Sequence, residues 1–103
     1  MLRVRLARLA ELPADALAAF TVDGLTWPVL AGVFAGEVIA TAGVCPHDDV
    51  GLADGDLDGC RLTCPGHGYQ FDIRTGACRH DRSLTLRRYR AEVVDGEVWL
   101  ELA

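Results

Sequence analysis

The chain has 103 residues, half of them apolar and about a quarter charged, with a net charge of −5. That length allows one hydrophobic core and a single domain, 1–103, and the composition is that of a folded globular protein, not a disordered one. No apolar run approaches the roughly 20 residues needed to cross a bilayer, and an acidic balance works against nucleic-acid binding, which needs a basic face.

The run from Met1 to Arg8 is broken up by three arginines and lacks the apolar block of a secretory signal, so a cytoplasmic protein is expected. Leu2, Val4 and Leu6 alternate with Arg3, Arg5 and Ala7, which predicts a first strand with one solvated face. Residues 9–19 favour helix, but Pro13 interrupts them and limits it to one short turn. Asp23-Gly24 predicts a hairpin joining 20–22 to 25–33, with Pro28 demanding an edge or a bulge. Ala35-Gly36 then turns the chain into 37–41. Asp54-Gly55 and Asp58-Gly59 carry the same hairpin signal, and Asp95-Gly96 joins 84–94 to 97–102. Short strands at this spacing predict an all-β sandwich or barrel.

The middle of the chain breaks the pattern. Residues 43–68 hold three of the four cysteines and two of the three histidines. A loop-rich insert on a β scaffold, at about 43–70, is where chemistry is expected. Without a secretion signal, metal is favoured over disulfides. Two boxes carry it: Cys45-Pro46-His47 and Cys64-Pro65-Gly66-His67, with sixteen residues between His47 and Cys64. Zinc takes two cysteines and two histidines, but zinc modules tend to pair like ligands. Mixed boxes suit a dinuclear iron–sulfur site, in which two histidines replace two cysteines on one iron. An all-cysteine cluster on Cys45, Cys60, Cys64 and Cys78 would lack the plant-type spacing.

The two boxes, with the run from Cys64 through His67, Tyr69 and Phe71 to Gly76, resemble the small soluble ferredoxins of the Rieske family. The resemblance implies an antiparallel β base with an inserted cluster-binding subdomain and one 2Fe–2S cluster. It places Cys45 and Cys64 on the inner iron, and His47 and His67 on the outer, solvent-facing iron. Two thiolates and two neutral imidazoles leave the oxidised cluster near zero charge, whereas four thiolates would leave about −2, so the mixed set accepts an electron more easily. The resemblance further implies an electron carrier rather than an enzyme, a monomer serving a flavin reductase and a terminal oxygenase of aromatic hydrocarbon catabolism. A small subunit of a reductase such as nitrite reductase, and a redox-sensing module, are the alternatives. Val50 and Gly66 stand where respiratory members carry a disulfide, and Phe71 offers no hydroxyl where they carry a tyrosine. Tyr69 is expected to point elsewhere, and the potential to fall below about 0 mV.

The remaining residues read as structure. Cys60 and Cys78 are expected to be buried thiols, His80 a surface histidine, Trp27 and Trp99 core residues, and the arginines from Arg74 to Arg90 a solvated face. Asp48, Asp49, Asp54, Asp56 and Asp58 suit turns, and would also form an acidic rim steering a basic partner.

Overall fold

The computed structural model describes residues 2–47, 49–66 and 68–102. Among these the expected all-β chain is found: β1 (Arg3–Arg8), β2 (Ala18–Phe20), β3 (Val29–Phe34), β4 (Glu37–Ala42), β5 (Asp56–Asp58), β6 (Arg61–Thr63), β7 (Gln70–Asp72), β8 (Arg88–Val94) and β9 (Glu97–Glu101). One short 3₁₀ turn, Leu9–Glu11, accounts for the helical propensity ahead of Pro13. No helix is long and apolar enough to cross a membrane among the described residues.

Six strands form a sheet in the order β1-β9-β8-β4-β3-β2, and β5-β6-β7 form a second one. Every strand pair is antiparallel. The larger sheet is curled, and Ala14 bridges back to Val33 after β1 has ended. β3 and β4 are neighbouring interior strands of this sheet and are covered on both faces. Val29, Ala31, Ala40 and Ala42 pack with Leu6, Tyr89, Val98 and Leu100 inside the curl. Leu30, Phe34 and Ile39 face the other way, onto Leu62, Phe71 and Ile73 of the small sheet and its turn. Double burial explains why β3 is nearly continuously apolar instead of alternating.

Several expectations need correction. β1 carries a bulge between Arg5 and Ala7, so Leu6 and Ala7 are both buried while Leu2 is exposed. Asp23-Gly24 makes a turn, with the Leu25 N–H donating to the Val22 carbonyl at 3.1 Å, but not a tight hairpin. β3 starts only at Val29, beyond Pro28, which has no N–H to give, and its first residue pairs with Phe20. Asp54-Gly55 ends a turn from Leu52 that leads into β5. The hairpin between β5 and β6 turns on Gly59-Cys60, one residue later than the Asp-Gly signal, with positive φ at Gly59 alone. Ala35-Gly36 and Asp95-Gly96 do form two-residue turns with both residues at positive φ, as type I′ requires. The strand expected from 84 begins at Arg88.

Neither tryptophan is a core residue. Trp99 lies between buried Val98 and Leu100, so its side chain takes the outer face, where the Arg3 guanidinium stands 5.6 Å from its ring centre. Trp27 is half-buried, and a Cβ at Gly51 would lie 3.5 Å from its ring.

Candidate metal centre

The two ligand boxes turn out to be matched hairpin loops. Val44 bridges Gly51, and Thr63 pairs with Gln70, so residues 45–50 and 64–69 are each a six-residue loop that opens on a cysteine. Each loop is closed by the same hydrogen bond. The Cys45 N–H donates to the Val50 carbonyl at 2.9 Å, and the Cys64 N–H donates to the Tyr69 carbonyl at 2.7 Å. The first loop is anchored below by Gly43, whose N–H donates to Pro28 and whose carbonyl accepts from Leu52, both at 2.8 Å.

This construction sets the depth of the donors. Cys45 and Cys64 are 2% and 1% exposed and belong to the apolar cluster with Leu52, Leu62 and Phe71. His47, two residues further along its loop, is exposed. Among the described residues the loops meet at two places. A Cβ at Gly66 would lie 3.1 Å from a Val50 methyl and 3.7 Å from Cys64 Sγ, so the missing side chain is what lets the loops close. The rings of His47 and Tyr69 lie 4.1 Å apart between centres.

Cys45, His47 and Cys64 thus lie in two touching loops, while His67 and Asp48 fall outside the described residues. Among the described residues no three metal-binding side chains group closely enough to hold an ion by themselves. The donors nonetheless suit an iron–sulfur group. Two buried sulfurs and a solvent-facing imidazole suit a cluster with one inner and one outer iron better than a small surface ion.

The segment from Arg79 to Ser83 flanks the first loop. His80 is exposed, as expected, yet its ring lies 5.9 Å from that of Tyr69. The Asp81 carboxyl is held below its ordinary range, chiefly by the Ser83 hydroxyl (2.6 Å) and then by the Ser83 N–H (2.9 Å). Asp81 also lies within electrostatic reach of His47. Neither contact of this segment could be read from spacing, because His80 follows both boxes by more than ten residues.

Other expected features lie apart. On β5, Asp58 ends opposite Arg61, at the far end of the small sheet from the second loop, although Asp56 pairs with Thr63 at that loop's base. Among the described residues, Asp49 is the one acidic residue that the two loops contribute to the expected rim. Cys78 is buried and Cys60 only half-buried; both are free thiols. They flank β7 on opposite sides, with the Cys60 carbonyl accepting from Ile73 while Cys78 bridges Phe71. Two strand spacings, about 9–10 Å, separate them, too far for a disulfide. Both line a cleft of about 350 Å³ with Arg61, Arg74 and Arg79. Among the described residues, Cys45, His47 and Cys64 do not line it, which sets that cleft apart from the two loops.

Two hairpin loops on a β base, each opening on a buried cysteine and the first carrying an exposed His47, suit an iron–sulfur group of mixed ligation. A family profile for the Rieske 2Fe–2S domain matches residues 3–90, and the chain belongs to that family, with its 2Fe–2S cluster as cofactor. It is 38% identical over 69 residues to the ferredoxin component of the p-cumate 2,3-dioxygenase system of Pseudomonas putida, a match covering 65% of this chain. The chain spans 58% of that relative's length. Two solved structures superpose over nearly everything. The ferredoxin of Sphingomonas yanoikuyae B1 has a TM-score of 0.83 at 28% identity, covering 99% of this chain and 100% of that one. The ferredoxin of carbazole 1,9a-dioxygenase from Nocardioides aromaticivorans IC177 has a TM-score of 0.83 at 29% identity, covering all of both chains.

Proposed function

We propose that this protein is a one-electron carrier that passes electrons from a flavin reductase to the terminal oxygenase of an aromatic-ring-oxidising system. In this reading Cys45, His47, Cys64 and His67 hold the cluster, which supplies a site that takes up and gives back a single electron. The observation that carries it is the pair of matched loops, each with its cysteine buried, the first with its histidine at the surface. Cys45 and Cys64 hold their sulfurs in the apolar base, away from water and from dissolved oxidants. His47 is exposed, where a partner can approach closely without disturbing the core. Relatives named as ferredoxin components of dioxygenase systems support the choice of carrier over enzyme.

The same reading makes the chain a single-domain monomer that meets both partners transiently. It works in the cytosol, where the thiols of Cys60 and Cys78 stay reduced. The test is an EPR spectrum of the purified chain after dithionite reduction, with and without ¹⁵N-histidine. A signal with hyperfine coupling to two imidazole nitrogens, lost in His47→Ala and in His67→Ala, is expected. A colourless zinc protein, or an iron signal indifferent to histidine labelling, would overturn the assignment.

A further inference from the structure

Tyr69 lays its ring on His47, with centres 4.1 Å apart and planes tilted by 31°. The same tyrosine ring is touched by His80 at 5.9 Å and 43°. Backbone geometry fixes Tyr69 in this place. Its carbonyl closes the second loop on the Cys64 N–H, and Gly68, at φ 73°, turns the chain just before it. The ring also packs on the apolar cluster beneath the loops, so it is half-buried with little freedom to swing away.

An imidazole bonded to a metal through one nitrogen can still rotate about that bond. Groups that touch the ligand, but not the metal, set its orientation. A ring packed at this distance limits rotation and keeps water from one face of the imidazole. Tyr69 comes from the opposite loop, so it orients His47 only when the two loops are docked.

We propose that Tyr69 is the positioning residue for His47, acting through its ring and not its hydroxyl, and that His80 holds Tyr69 in place. The inference rests on the reading of His47 as a cluster ligand. Tyr69→Leu, Tyr69→Phe and His80→Ala in the full chain, each carrying its cluster, test it. Tyr69→Leu is expected to lose iron to a chelator about two- to tenfold faster, the range an aromatic pair supports. It is also expected to broaden the nitrogen hyperfine lines of one imidazole, while Tyr69→Phe restores both properties. A purely structural role would lower the melting temperature without touching those lines. Should Tyr69→Leu not fold, His80→Ala at its exposed site is expected to broaden the same lines to a smaller degree. Wild-type line widths in the folded variants would overturn the positioning role alone. Absence of histidine coupling in the wild-type protein would instead remove His47 as a ligand.

Discussion

Asp72 ends β7 with a carboxylate that accepts from the Arg74 backbone N–H at 2.9 Å and from its guanidinium at 3.1 Å. The guanidinium bond, helped by the backbone one and opposed by partial burial, holds the Asp72 carboxyl below its ordinary value of 3.8. A carboxyl that ionises more readily folded than unfolded adds stability at neutral pH. That contribution is complete above the ordinary value and is lost as pH falls through the lowered one. Asp72→Asn should therefore melt a few degrees lower than wild type at pH 7. The gap should narrow as pH falls below that ordinary value and close once it passes the lowered one, and melting curves across that range check it. The effect is small because solvent screens the pair, in which Arg74 is two-thirds exposed. A gap independent of pH would mean that the asparagine disturbs the turn itself.

The two loops act as one element because they lean on each other. The contact is Val50 against Gly66, the positions where respiratory relatives would carry a disulfide, and here it is a close apolar approach. Gly66→Ala forces a methyl to within 3.1 Å of Val50 and should cost about 1 kcal/mol, with faster loss of iron. Val50→Ala clears the space, so the double variant should be more stable than the sum of the two single losses predicts. Strict additivity in melting temperature would show that the loops do not touch in solution. Much of this element was legible beforehand. Cys45, His47, Cys64 and His67 stand out because soft and borderline donors at short spacing have little other use. The equal six-residue length of the loops was hidden, since it depends on Val44 finding Gly51 and Thr63 finding Gln70. The small sheet was hidden too, because strands of three residues leave no periodicity to count. The Asp-Gly signals at 23–24, 54–55 and 58–59 marked bends correctly but misplaced the pairing. A turn propensity is local, whereas the ladder that follows is chosen by burial and, at Pro28, by a missing donor. Trp99 and Trp27 were misread for a related reason: a large ring in a strand does not say which face it takes.

At the scale of the molecule, the first loop grows out of β4 in the curled sheet, and the second joins β6 to β7 in the small one. A sheet of three-residue strands is too slight to stand alone, so it relies on the seam formed by Leu30, Phe34 and Ile39 against Leu62 and Phe71. A group held by both loops bridges that seam. Bleaching of the visible absorption and loss of the tertiary signal in denaturant should therefore share one midpoint, and separate midpoints would show the loops independent of the seam. On the proposed reading the cluster rivets the two sheets together, so loss of iron is expected to loosen that joint and leave its greasy lining more open to proteases.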